Sequence, residues 1–317
     1  MKVTDDTKYV TCSRLPSLFC RQHPLAQTRN QYLSEVISKR DGSWVEPEEN
    51  PHAKITDDIE DMMRNILLRD YPGLSLDPKW DRSKPIVSKE CPLGASCDDI
   101  MKTDGPVVFT DPNGDEIVFD GKVIVEYKST VMDTQDLPLY QGPLQVLGQM
   151  LCTGIKQAVI MRWNKKTAKI EYFPMTWHES TIEDIKSLTI EFWQRVEGKV
   201  DDPWYEPSNS EDLQLMYGHP TPDTVDLEED LDFKQALIDY KKADENIKIN
   251  QEIKDKAQFV MQKSMKDATS ATAAGHVITW GTRKYKAQPE KIVPAKDAYE
   301  IRSKSIKVRE IDDKKET

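Results

Sequence analysis

The stretch Val123-Ile124-Val125-Glu126-Tyr127-Lys128 decides the fold of this 317-residue chain. Its apolar, β-branched first half predicts a β-strand. Successive side chains of a strand alternate between its two faces, so Glu126 and Lys128 point the same way. A carboxylate and an ammonium therefore share one face at the end of an apolar strand.

Such a pair suits the metal-assisted hydrolysis of a phosphodiester. The carboxylate binds Mg²⁺, and the lysine positions or helps to deprotonate the attacking water. A glutamate and a lysine two residues apart also occur on many ordinary surface strands. The pair alone does not decide the function, and the sequence around it has to be considered.

The segments on either side of this strand predict a mixed α/β domain. Residues 107–119 contain two short β-rich runs separated by a turn signal. After the strand, a helix is predicted over 142–152, strands over 158–163 and 169–173, and a further helix from Ser180. This order predicts a central mixed sheet flanked by helices.

Charge divides the chain into three parts. Residues 1–200 form the predicted α/β core, and 201–232 contain eleven acidic residues and no Lys or Arg. This acidic stretch is interpreted as a linker or arm. Residues 233–317 are predicted to be a C-terminal extension with a long helix and a short β segment, His276 to Trp280.

The net charge of −11 does not exclude a nucleic-acid enzyme. Outside the acidic stretch the chain has as many acidic as basic residues, and a neutral body can have a basic groove on one face. The mean hydropathy is −0.66, and no apolar run is long enough to span a bilayer. The N-terminus has no signal-peptide pattern, so a cytoplasmic protein without membrane contact is expected.

The five cysteines are interpreted as reduced structural thiols. They are odd in number, widely spaced and without a CxxC pair, so neither a zinc site nor an iron–sulfur cluster is expected. They are Cys12, Cys20, Cys91, Cys97 and Cys152.

Three further motifs accompany the central strand. Glu60 lies on the first amphipathic helix, Gly94-Ala95-Ser96-Cys97-Asp98-Asp99 precedes the strand, and Gln145 to Gly154 follows it. In this order, the motifs resemble those of the YqaJ-type recombination nucleases of the PD-(D/E)XK superfamily. The long charged helix and the segment 275–280 resemble the C-terminal extension of many relatives.

The resemblance implies a role for each matching residue. Asp98 and Glu126 correspond to the metal-binding acids, Lys128 to the catalytic lysine, Glu60 to a helix glutamate near the metal, and Gln145 to a glutamine that flanks the site. Residues that would contact DNA are Ser13, Arg14, Ser96 and Gln149. From the residues alone, Glu60 and the two glutamines are equally compatible with a solvated surface, and Ser13 and Arg14 with a helix cap.

The first metal-binding acid has competitors. Cys97 and Asp99 replace the proline and glycine that usually flank this acid in the family, and the predicted hairpin separates Asp98 from Glu126. Three hairpin acids are alternatives to Asp98, namely Asp111, Asp115 and Asp120. Asp120 is nearest in sequence to Glu126, but the following Gly121 suggests a turn, so Asp98 is preferred.

As a whole, the resemblance implies a restriction-endonuclease-like fold and an Mg²⁺- or Mn²⁺-dependent exonuclease with two ions. The enzyme would digest one strand of linear duplex DNA from 5′ to 3′. The resulting 3′ overhang would pass to a single-strand annealing partner. A ring-shaped homotrimer and an origin in a phage or mobile element of a bacterium are also implied. The alternatives are an endonuclease with the same site and a non-catalytic DNA-binding or annealing partner.

Overall fold

The structure is a computed structural model that describes residues 5–19, 27–45, 55–131, 137–218 and 222–280. The chain divides into two compact units, and the division falls after Gly218. The first unit contains the predicted sheet and positions the candidate site. In the described part of the chain, the helices are α1 (Leu15–Phe19), α2 (Arg29–Asp41), α3 (Thr56–Asp70), α4 (Pro143–Thr153), α5 (Glu179–Val196), α6 (Ser210–Met216) and α7 (Leu231–Met265).

The strands of the first unit form a central sheet and smaller sheets. The central sheet has the order β10-β9-β8-β5-β2, with β8 parallel to β9 and the other neighbours antiparallel. The predicted mixed sheet is therefore confirmed. The strands are β1 (Val10–Thr11), β2 (Leu74–Leu76), β3 (Ile86–Val87), β4 (Leu93–Ala95), β5 (Asp99–Thr103), β6 (Val107–Thr110), β7 (Glu116–Phe119), β8 (Lys122–Thr130), β9 (Gln157–Asn164) and β10 (Lys169–Thr176).

Strand β8 contributes to a different hydrophobic core on each face of the sheet. Ile124 belongs to a core shared with α2, α4 and α5, whereas Val123 and Val125 belong to a core shared with α3 and the β6–β7 hairpin. This alternation is the period of a strand. Helices thus cover both faces of the sheet, as predicted.

Helix α4 packs closely against the N-terminal segment. Gly148 lies at this contact, where an added Cβ would come within 2.6 Å of Leu15 and 2.9 Å of the Cys12 sulfur. Any larger residue would separate the helix from the 3-10 turn Cys12–Arg14. The small residue keeps α4, and the glutamines on either side of Gly148, in place beside the sheet.

The sequence did not predict β5, the neighbour of β8 in the central sheet. This strand has only five residues, begins with Asp99 and ends with Lys102 and Thr103. Its apolar centre is therefore too short to be recognised as a strand in the sequence. The predicted hairpin is confirmed as β6 and β7, and its Phe109 and Phe119 are fully buried.

Part of the acidic stretch belongs to the first unit. Helix α6 packs on α2, and the fully buried Asp212 accepts hydrogen bonds from the Thr28 hydroxyl and the Ser208 amide. The division after Gly218 therefore lies inside the range that was predicted as a linker or arm, 201–232. An acid at position 212 acts as a structural hydrogen-bond acceptor.

The second unit consists of α7 and a two-stranded hairpin, β11 (Ser270–Ala273) and β12 (His276–Thr279). The long helix was predicted over 233–268 and the β segment over 276–280, so both elements exist close to the expected positions. In the described residues, no helix is long and apolar enough to cross a membrane.

Candidate active site

Glu126 and Lys128 lie on the face of β8 that is covered by α4. The Glu126 side chain is fully buried, whereas that of Lys128 is 30% exposed. The Lys128 Nζ donates to Glu126 Oε1 at 2.7 Å. The structure thus brings these two predicted residues together, with the ammonium between the buried carboxylate and the surface.

Two glutamines of α4 form hydrogen bonds with this pair. Gln145 Oε1 accepts from Lys128 Nζ at 2.9 Å, and its Nε2 donates to Glu126 Oε1 at 2.8 Å. Gln149, one turn further, donates from Nε2 to Glu126 Oε2 at 2.7 Å. Because the i, i+4 spacing places both amides on one helix face, each oxygen of Glu126 receives a donor.

Asp98 lies opposite Glu126, immediately before the neighbouring strand β5. Asp99 pairs with Val125 in the antiparallel register, so the preceding Asp98 faces Glu126. Asp98 is fully buried, and its Oδ2 accepts from the Tyr127 amide at 2.9 Å. Two acids that are far apart in sequence are therefore adjacent in the fold.

The alternative acids lie elsewhere. Asp120 is exposed in the turn before β8 and hydrogen-bonds with Thr103 and Gln157. Asp120 and Glu126 are six positions apart, which amounts to roughly 20 Å along a strand. Asp111 and Asp115 bond to one another in the turn of the β6–β7 hairpin. Of the four candidates, only Asp98 is placed next to Glu126.

Glu60 is nearly buried, but it is engaged by a residue that the sequence did not single out. Arg82 donates from Nη2 to Glu60 Oε2 at 2.5 Å and from Nε to the Asp98 carbonyl at 3.0 Å. Arg82 therefore links the α3 glutamate to the segment that contains Asp98. It lies in the polar run Asp81 to Lys84, which resembles any solvated turn and gives no sequence signal.

A second group of residues lies on the opposite face of the sheet. Asp99 accepts from Arg64 Nε at 2.7 Å, from Arg64 Nη2 at 3.1 Å and from the Tyr127 hydroxyl at 2.7 Å. Burial, together with the charge of Asp99, raises the pKa of the Tyr127 phenol, so the hydroxyl remains a donor. In the sequence, Asp99 is distinguished only as a departure from the family pattern.

The predicted DNA contacts are distributed around α4. Ser96 is nearly buried, and its carbonyl oxygen lies 3.3 Å from Gln149 Nε2. Ser13 is exposed in the 3-10 turn that packs on α4, with its hydroxyl 3.3 Å from that of Thr11. Ser13 is thus accessible to a ligand, whereas Ser96 is held in the wall of the site.

Arg14 has protein partners of its own. It donates to Gln27 at 2.8 Å and to the buried Glu35 at 2.9 Å, and its side chain remains 35% exposed. Burial acts to raise the pKa of Glu35, but hydrogen bonds from Lys39 and Gln27 and the charge of Arg14 hold it below its ordinary value. Glu35 is therefore an anion that orients Arg14.

The residues at this site fit a hard divalent cation. Asp98 and Glu126 provide two buried carboxylates, and the buried Gln149 Oε1 has no hydrogen-bond partner among the described residues. Mg²⁺ is commonly held by one or two carboxylates and keeps several waters. Within the described ranges, no three acidic, histidine or cysteine side chains form an ion-binding group. The metal role predicted for Glu60 stays a prediction.

The four described cysteines are free thiols. Cys12, Cys91 and Cys97 are buried and Cys152 is half-buried, while Cys20 lies outside the described residues. Burial raises the pKa of the Cys12 thiol well above its usual value, and a hydrogen bond with Cys152 acts in the same direction. Such a thiol is unreactive at neutral pH.

Solved structures match this chain. No family model and no curated protein matches it. The chain is similar to the alkaline exonuclease LHK-Exo from Laribacter hongkongensis, solved in complex with dAMP, with 17% identity over 61% of this chain and 90% of that one, at a TM-score of 0.45. A phage-related exonuclease from Haemophilus somnus 129PT matches with 13% identity over 60% and 96%, at a TM-score of 0.40. This is a likeness of fold. The chemistry has to be inferred from the site itself.

Proposed function

We propose that this protein is a divalent-metal-dependent nuclease that digests linear double-stranded DNA. The observation that supports this proposal best is the placement of Asp98 beside Glu126, both fully buried, with Lys128 bonded to Glu126 at the edge of the site. The same three residues match the family motif in order. Burial, charge and geometry therefore all favour metal-assisted hydrolysis of a phosphodiester.

The charge of the site favours a cation. Burying a carboxylate is costly unless it is hydrogen-bonded and paired with positive charge. Asp98 and Glu126 carry two negative charges when ionised, and the Lys128 ammonium offsets one of them. A bound divalent cation would offset the remaining negative charge. A phosphodiester that reached the site would also be attracted to this cation.

Each residue has a distinct task in this proposal. Asp98 and Glu126 hold the cation, which when bound supplies Lewis-acid polarisation of the scissile phosphate. Lys128 positions the attacking water and assists removal of its proton. Gln145 fixes the Lys128 ammonium, and Gln149 fixes the Glu126 carboxylate, so that neither side chain reorients when DNA binds.

The finer features of the proposal come from the family resemblance. They are 5′-to-3′ digestion of one strand, production of a 3′ overhang for a single-strand annealing partner, and assembly as a trimer around the duplex. The position of Ser13 and Arg14, in the turn that packs against α4, is compatible with a contact to the terminal 5′ phosphate. Arg14 offers a planar fork for such a dianion.

Digestion of linear duplexes labelled at the 5′ or the 3′ end, with Mg²⁺ or with EDTA, tests the proposal. We expect Mg²⁺-dependent early release of the 5′ label and late release of the 3′ label. A closed circular duplex of the same sequence is the control, because an exonuclease leaves it intact. Cleavage of the circle would indicate an endonuclease, and EDTA-insensitive binding without hydrolysis would indicate a binding protein.

A further inference from the structure

Asp98 and its neighbour Asp99 face opposite sides of the sheet and have different surroundings. Asp98 faces Glu126, whereas Asp99 is 3% exposed and is held by both Arg64 and the Tyr127 hydroxyl. Arg64 approaches Asp99 through two of its nitrogens, so this guanidinium–carboxylate pair has a fixed geometry.

Tyr127 contacts both acids at once. Its hydroxyl donates to Asp99 on one face of the sheet, and its backbone amide donates to Asp98 Oδ2. Asp98 precedes the first paired residue of β5, so strand pairing alone does not fix its position. The contacts that hold Asp99 against Tyr127 therefore also hold the carboxylate of Asp98 in place.

We propose that Arg64, Asp99 and Tyr127 form a buried clamp that positions Asp98 to bind the divalent cation. This inference rests on the proposed function and deepens it. The three side chains are positioning residues on the far face of the sheet, and they act on the cation only through Asp98.

The clamp predicts that loss of a hydroxyl on the far face weakens metal binding. Partners that orient a metal ligand typically change metal affinity by about 10- to 100-fold when removed. Tyr127→Phe removes one hydrogen bond and retains the bidentate Arg64–Asp99 pair, so the protein should still fold. Asp99→Asn keeps the size of the side chain and removes its charge.

A matched control is available in the same hydrophobic core. The Tyr172 hydroxyl donates to Asp70 Oδ2 at 2.7 Å, the same distance as between Tyr127 and Asp99, but the bond of Tyr172 is exposed and that of Tyr127 is buried. Both rings belong to the core that contains α3, but Asp70 is at the far end of α3 from Glu60. Tyr172→Phe therefore measures the cost of losing such a bond away from the site.

The experiment is a calorimetric titration of the full chain with Mn²⁺ in the absence of DNA, accompanied by thermal unfolding. We expect Tyr127→Phe and Asp99→Asn to weaken Mn²⁺ binding about 10-fold or more. Tyr172→Phe should lower the unfolding temperature by less, because its bond to Asp70 is exposed, and should leave the Mn²⁺ affinity within about twofold of the wild type. The half-saturating Mg²⁺ concentration for hydrolysis should rise in the same two variants.

Two results would overturn the inference, and they are distinguishable. If the wild type binds Mn²⁺ and all three variants bind it equally well, the clamp has only a structural role and the proposed function stands. If the wild type binds no Mn²⁺ and hydrolysis does not require a metal, the proposed function fails and the inference fails with it.

Discussion

Replacing Lys128 by methionine separates the task of the lysine from that of the carboxylates. The ammonium is 2.7 Å from Glu126 Oε1 and 30% exposed, and methionine fills a similar volume without the charge. Glu126 keeps hydrogen bonds from Gln145 and Gln149. Lys128 also donates to Gln145, so the loss of stability should be that of two hydrogen bonds from a charged donor, each worth about 1.5–3 kcal/mol.

Lys128→Met should preserve metal binding and slow hydrolysis. Without the ammonium, a cation at Glu126 has one competitor fewer, so Mn²⁺ should bind at least as tightly as in the wild type. The hydrolysis rate should fall by about 100-fold or more, the typical cost of removing one preorganised group. The assays are Mn²⁺ titration and single-turnover digestion of a 5′-labelled duplex.

Glu126→Gln is the matched comparison for Lys128→Met. It should lose both metal binding and hydrolysis, because it removes the ligand itself. The reasoning is refuted if Lys128→Met retains more than about a tenth of the wild-type rate at saturating Mg²⁺, or if it loses Mn²⁺ binding as fully as Glu126→Gln does.

Four further predictions concern residues outside the pair of metal-binding acids. Arg14→Ala should slow digestion of 5′-phosphorylated duplexes alone, since a terminal phosphate carries nearly two charges; equal slowing of 5′-hydroxyl duplexes would contradict this. Because the folded-state pKa of Glu35 is lowered, its ionised form stabilises the fold above about pH 4.3 and this advantage is lost as pH falls through the folded-state pKa. The gap in urea stability between wild type and Glu35→Gln should therefore narrow from pH 7 toward about pH 3.5, and a constant gap would refute the role. Asp212→Asn should destabilise the protein by about 1–3 kcal/mol, because Asp212 is buried. Neutralising the exposed acids at 226–230 should leave the nuclease rate unchanged, and a specific loss of DNA binding would contradict this.

The sequence predicted the parts of the fold that have a clear period. Strand β8, the hairpin before it and helix α4 have apolar residues at the spacing of a strand or a helix, and their polar residues fall on one side. The placement of Glu126, Lys128, Gln145 and Gln149 follows from these periods, since each pair shares one face. Local pattern was sufficient there.

The contacts made across the fold were not predictable in this way. Asp98 was selected by family resemblance, and its position beside Glu126 depends on β5, a short strand with polar ends that no periodicity marks. Arg82 lies in a polar turn, and its contact with Glu60 bridges twenty-two positions of sequence. Such pairs are decided by the packing of distant segments, which one sequence does not reveal.

The structure also changes the interpretation of Arg14 and Asp212. Arg14 was predicted to meet a phosphate, and the structure places a buried glutamate against it, so its charge is already partly offset. Asp212 was counted among the acids of a linker, and it accepts two hydrogen bonds inside the first unit. In both cases the residue type was informative, but its partner was not visible in the sequence.

The most direct test of the account compares Asp98→Asn with Asp120→Asn in digestion of a linear duplex over a range of Mg²⁺ concentrations. Both changes remove one aspartate charge, but Asp98 is buried beside Glu126 and Asp120 is exposed in a turn roughly 20 Å away. We expect Asp98→Asn to lose at least about 100-fold in rate at every Mg²⁺ concentration and Asp120→Asn to match the wild type. Wild-type digestion by Asp98→Asn, in a folded protein, would contradict this expectation.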